Sequence, residues 1–205
     1  MRTVSKWIVA VAATMVVGGY QSATAGFVGM PQGLGTMMKR ISFSNYTLPP
    51  MAFTQFCMRY ANQCKPQQIL FRGGPVHLTA ERWNDLRAVN RAVNAAIVPE
   101  PNTEGLAGEK WLINPASGDC NDYAVSKRSE LLARGWPTRA LLLSEVVTSW
   151  GEHHLILVVR TSAGDLVLDN LTPEIRQWAK APYQWVRIQT SKNPNYWASL
   201  GSRSV

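Results

Sequence analysis

From Leu78 to Val98, apolar residues recur at helical spacing: Trp83, Leu86, Val89, Val93 and Ile97 fall on one stripe between polar and charged positions. The spacing predicts an amphipathic helix, capped by Thr79 and stopped by Pro99 and Pro101. Asn90 and Asn94 lie four apart on one of its faces. A second helix is predicted from about Cys120 to Arg134, with Asp119 where an N-cap belongs and Gly135 where a helix C-terminus closes. Beyond Pro137 the period changes. Arg139–Val147, His154–Arg160 and Asp165–Leu168 are short β-rich runs, Ser162-Ala163-Gly164 supplies a hairpin turn between the last two, and Gln184–Gln189 reads as a further strand. Helices first and strands later describe an α+β domain with an antiparallel sheet. Residues 99–118 read as a loop containing Trp111 and Pro115. Residues 26–50, rich in Gly, Pro, Met and Ser, read as an irregular arm. The folded domain is expected over 51–190, with 191–205 as a C-terminal tail.

The N-terminal pattern is of another kind. Arg2 and Lys6 precede an apolar run from Trp7 to Val17, and Ala23-Thr24-Ala25 offers small residues before Gly26. This positive–apolar–small order is that of a secretory signal peptide, here residues 1–25. The alternative, a transmembrane anchor, needs ~20 apolar residues, and Gly18, Gly19, Tyr20 and Gln21 dilute the end of the run. The expected location is therefore periplasmic or secreted, without stable membrane insertion. The full chain carries a formal charge of +8; losing Arg2 and Lys6 with the signal leaves about +6. The basic residues are scattered and form no long run, which argues against a nucleic-acid partner.

Three cysteines bear on an oxidising compartment: Cys57, Cys64 and Cys120. Cys57 and Cys64 are close enough to close a small disulfide loop, the alternative being two separate buried thiols. If they pair, Cys120 is left free. It stands at the predicted first turn of a helix, where unpaired N–H groups and the helix dipole favour an anion such as a nucleophilic thiolate. Asp119 and Asp122 work against that, and a small buried helix residue is the plainer alternative. His154 opens an apolar strand, and its neighbour His153 points to the other face, so one of them can meet Cys120. Alternation does not choose between them. Asp169 follows Leu166-Val167-Leu168. If that run pairs with the histidine strand, Asp169 lands beside His154, where a carboxylate fixes the tautomer of an imidazole. Otherwise it is a strand-ending Asp bonded to its own backbone.

At these residues a resemblance appears. Gly118-Asp-Cys-Asn-Asp-Tyr-Ala-Val-Ser-Lys127, then Glu152-His-His-Leu-Ile-Leu-Val-Val159, then Leu166-Val-Leu-Asp-Asn-Leu171 strongly resemble the bacterial transglutaminase-like cysteine proteinases, which include LapG-type periplasmic adhesin proteases. The likeness runs from about Phe53 to Tyr183 and takes in Trp111-x-x-x-Pro115 and the two helix asparagines. It implies a papain-like/transglutaminase-like fold, with a nucleophilic Cys at a helix N-terminus packed on an antiparallel sheet that carries His and Asp. It implies peptide-bond hydrolysis through a thioester acyl-enzyme, with Cys120 as nucleophile, His154 rather than His153 as base, and Asp169 as the acid. Trp111 is implied to lie near the site and shape the oxyanion region; its alternative is a core aromatic.

In LapG-type members the resemblance also implies calcium beside the cysteine, on an Asp-Cys-Glu-Asp stretch. The stretch here is Asp119-Cys120-Asn121-Asp122, so Asp119, Asn121 and Asp122 are the candidate ligands, one charge poorer. The N-cap role of Asp119 is the alternative, and no cofactor is expected to be required. The partners implied are a protein or peptide substrate, in one branch a surface adhesin, and a membrane-bound regulator. Two other functions stay open: an acyltransferase or amidase using the same three residues, and a catalytically silent binding module of the cell envelope.

Overall fold

The computed structural model describes residues 40–66 and 75–200. The expected signal peptide, residues 1–25, and the first part of the expected arm lie outside these residues. Among the described residues, no helix is long and apolar enough to cross a membrane.

Strand β1 (Tyr46–Thr47) leads through Pro49 and Pro50 into helix α1 (Met51–Arg59), which buries Ala52, Phe53 and Phe56 on one stripe. A disulfide joins Cys57 near the end of α1 to Cys64 beyond a 3-10 turn, as the spacing had suggested. Helix α2 (Ala80–Ala96) is capped by Thr79, whose hydroxyl accepts the Arg82 N–H at 3.2 Å, and it buries Leu86, Val89, Asn90 and Val93. It ends short of the expected Val98 because the residue before a proline avoids helical backbone. Val98 and Pro99 instead form β2 (Val98–Pro99), paired in parallel with β3 (Ser117–Gly118); the short helix α3 (Gly105–Gly108) lies between them in what was expected to be a loop.

Helix α4 (Cys120–Ala133) runs through the interior and buries most of its residues, from Asn121 to Arg128 and again Leu131. Gly135, in the left-handed region at φ 78°, closes it as expected. The strands that follow are β4 (Leu141–Val147), β5 (His153–Thr161), β6 (Gly164–Leu168), β7 (Arg176–Gln177), β8 (Gln184–Gln189) and β9 (Trp197–Ser199). They join β1 in an antiparallel seven-stranded sheet of order β1-β9-β8-β4-β5-β6-β7. Strand β5 reads as an unbroken apolar run because both of its faces are covered. Leu155, Leu157 and Val159 join the cluster under α1, α2 and α4, while Ile156 and Val158 join a second cluster with Leu142, Val167, Trp178 and Ile188.

The boundary at 51–190 is too narrow. Trp197 is fully buried and packs edge-on against Phe53 with ring centroids 5.3 Å apart, so the expected tail contributes β9 and the expected arm contributes β1. Strands of two or three residues are too short to show an alternating pattern.

Candidate active site

The start of α4 is built by its own carboxylates. Asp119 Oδ1 accepts the Asn121 N–H at 2.9 Å, and Asp122 Oδ2 accepts the Asp119 N–H at 3.0 Å, a reciprocal capping box. The other oxygen of Asp122 accepts the Leu112 N–H at 2.7 Å, tying the preceding loop to the helix. Gly118 makes room for this fold-back: a Cβ there would fall 2.1 Å from Asp122 Oδ2. Burial pushes the Asp122 carboxyl up to about 6, against the opposing N–H of Leu112.

Cys120 occupies the first helical position and is the free cysteine among the described residues. The backbone N–H of Leu155, at the start of β5, favours the sulfur's anionic form. Burial pushes the thiol up to about 12. The Leu155 N–H opposes this, and the charges of Asp119, Glu109 and Glu152 add to it. The helix end was expected to favour a thiolate. Desolvation and three nearby carboxylates work against that, while the Leu155 N–H and the helix end favour the anion.

The two histidines part company. His153 is exposed, its Nδ1 2.7 Å from Glu145 Oε1, whereas His154 is buried with Nε2 2.8 Å from Asp169 Oδ1. The hairpin that pairs Leu157 with Leu168 carries Asp169 to this place. Asp169 is 2% exposed and richly held. Its Oδ1 also accepts the Leu171 N–H at 3.1 Å, Oδ2 accepts the Tyr183 hydroxyl, and its backbone carbonyl accepts the Asn94 amide at 2.9 Å. Burial acts to raise its carboxyl, but His154, Tyr183 and the Leu171 N–H outweigh that and hold it below the usual carboxylate range.

Cys120, His154 and Leu155 line one cleft of about 680 Å³, with Asp169 behind the imidazole. The structure thus joins His154 to Asp169 and puts Cys120 on the wall of the same cleft. Trp111 also lines the cleft. Its indole N–H donates to Glu109 Oε1 at 2.9 Å, and its ring packs on Phe53 and Phe56, so it is at once a core aromatic and part of the cleft wall.

The three calcium candidates are not arranged as ligands. Both oxygens of Asp122 are taken by backbone N–H groups, Asp119 caps the helix, and Asn121 turns its amide nitrogen onto Glu109 Oε1 at 2.5 Å. Among the described residues, no three His, Cys, Asp or Glu side chains gather as a metal site. In this arrangement the three side chains serve the helix start and the loop before it. Glu109 and Tyr183 were missed at the sequence level, since nothing in the local pattern marks either one. Lys127 was missed too: buried on α4 two turns beyond Cys120, it has its ammonium 5.9 Å from the Tyr123 ring. Burial pulls it down to about 7, with Asp169 opposing.

Comparison with known proteins accords with this geometry. No curated protein matches the sequence. The calcium-bound structure of Legionella pneumophila LapG is 22% identical, with a TM-score of 0.50 over 60% of this chain and 73% of that one. The EGTA-treated form of the same protein is 23% identical with a TM-score of 0.48, covering 60% and 69% of the two chains. The likeness to the first of these is one of fold, the α+β papain-like architecture of a helix-borne cysteine on an antiparallel sheet. The family described as bacterial transglutaminase-like cysteine proteinase BTLCP matches residues 43–205, most of the chain, and the protein belongs to it as a cysteine peptidase.

Proposed function

We propose that the protein is an exported peptidase that hydrolyses peptide bonds of a protein substrate, with Cys120 as nucleophile, His154 as base and Asp169 as the group that orients it. The observation that carries this reading is the His154 Nε2 to Asp169 Oδ1 contact of 2.8 Å in the cleft that Cys120 lines. An Nε2–H donated to Asp169 fixes the tautomer and leaves the lone pair of Nδ1 for a proton. The proton of Cys120 passes to Nδ1, giving a thiolate–imidazolium pair whose sulfur attacks the scissile carbonyl. The Cys120 N–H, in the first turn of α4, has no helical carbonyl before it and is available to the oxyanion. The imidazolium then protonates the departing amine, leaving a thioester. Water, deprotonated at the same nitrogen, releases the acyl group and restores the thiol. Asp169 stabilises the imidazolium in both halves.

Export follows from the N-terminal pattern of residues 1–25, and a surface adhesin is the substrate that the family resemblance favours, with a membrane-bound regulator as further partner. LapG was solved with calcium bound, but in this chain the oxygens of Asp122 and Asp119 are committed to the helix start, and no step of the proposed reaction involves the ion.

The test is to incubate the mature protein with envelope extract from a strain carrying Cys120→Ala and to sequence the new N-termini. Discrete new termini, absent with Cys120→Ala or His154→Ala protein of unchanged circular dichroism, are expected. Asp169→Asn should lose roughly a thousandfold or more in rate, as misoriented triads do. New isopeptide links in place of new termini would mean acyl transfer.

A further inference from the structure

Asp169 has two tasks in a buried place: it must stay ionised, and it must aim one oxygen at His154. Oδ1 serves His154 and the Leu171 N–H. Oδ2 would face the interior without a partner if the stretch between the Trp178–Lys180 turn and β8 did not bring up Tyr183, whose hydroxyl donates to it. The same ring lies 5.8 Å from the imidazole at an interplanar angle of 52°. On the far side, Asn94 of α2 holds the Asp169 carbonyl. Asp169 is therefore held by its backbone carbonyl from α2 and by its carboxylate from Tyr183, and the imidazole has an aromatic wall.

We propose that Tyr183 is a positioning residue of this site, its hydroxyl locking the Asp169 carboxylate and its ring limiting the tilt of His154 so that Nδ1 faces Cys120. The proposal rests on the reading of Cys120, His154 and Asp169 given above. A purely packing role needs the ring alone, whereas this role needs the hydroxyl. The charged and titratable groups that bear on the pair are His154 from β5, Lys127 from α4 and Arg176 from β7. None of these supplies the bond to Oδ2 that Tyr183 makes. Without that donor the carboxylate rotates more freely and takes up a proton more readily, and its undiluted charge makes the imidazole more basic. The gain in imidazole basicity raises the pH at which the base is lost to protonation.

Tyr183→Phe keeps the ring and removes only the donor. Its kcat is expected to fall roughly tenfold to a hundredfold, the range for losing a hydrogen bond to a charged group. KM should be little changed, and the acid limb of the kcat profile should move to higher pH. In an Asp169→Ala background the same change should have almost no further effect, because both oxygens are gone. An unshifted acid limb, or an equal loss with Ala at 169, overturns the proposal and makes Tyr183 a packing residue. The imidazole can also be read without turnover. In Cys120→Ala protein, the proton magnetic resonance of the His154 Nε2–H should shift on Tyr183→Phe, and an unchanged signal counts against the proposal. If the wild-type protein cleaves nothing while that signal still moves, the functional reading has failed and the positioning role stands.

Discussion

Cys120 is where opposing local effects have to be weighed. A helix N-terminus stabilises a thiolate through a partial charge that acts within one turn. Burial and the carboxylates of Asp119, Glu109 and Glu152 favour the neutral thiol and prevail, pushing the group to about 12 from an ordinary 9.0. Two outcomes follow. Iodoacetamide should modify Cys120 in the folded protein more slowly than in the denatured chain at pH 7, gaining about tenfold per pH unit as the thiolate fraction climbs. The sign for stability is also set. Between 9.0 and about 12 the folded protein keeps a proton that the unfolded chain releases, so this group makes stability fall as pH rises through that window. In thermal melts across the window, Cys120→Ser should lessen that fall. Fast modification at or below neutral pH would instead reveal a resting ion pair with His154.

Elements differ in how openly the sequence declares them. Helix α4 is announced at both ends, by Asp119 and by Gly135, and α2 by its apolar stripe and Thr79. The hairpin of β5 and β6 is legible because one tight turn fixes its register, which is why Asp169 could be placed beside His154 before any coordinates. Tyr183, Glu109 and Lys127 were not legible, since each reaches the site by a tertiary path that no local period records. The family pattern named Asp119 and Asp122 as metal ligands, and the structure gives them to the capping box. Gly118 is the pivot of that arrangement. Gly118→Ala would drive a Cβ into the Asp122 carboxylate and undo the tie between Leu112 and the helix start. Losing a cap of this kind costs about 1 kcal/mol, or roughly 2–4 °C of melting temperature at this chain length, and clash adds to it. Activity should fall with it, as Cys120 follows the backbone of the first turn. Since these carboxylates are already occupied, wild-type melting should not respond to millimolar calcium or to chelator. A calcium-dependent rise of several degrees would mean that the capping box opens to admit the ion.

Across the described residues, the edge strands β1 and β9 and the cleft form one mechanical unit. Strand β9 pairs with β1 at the edge of the sheet, and Trp197 is driven from there into the ring cluster of Phe53, Phe56 and Trp111. Trp111 and the neighbouring residues of α1, Met51 and Ala52, line the cleft wall, so the C-terminal strand supports the site from behind. Trp197→Ala removes a side chain with no solvent exposure and should destabilise by about 3–5 kcal/mol. Because α1 leans on that ring, substrate binding should weaken beyond what unfolding explains, so that KM rises at temperatures well below the melting point. Trp197→Phe keeps an aromatic in the cluster and should recover much of both losses. A Trp197→Ala protein that melts early yet binds substrate with the wild-type KM would show that the wall holds itself up, and that the last strand contributes stability without shaping the cleft.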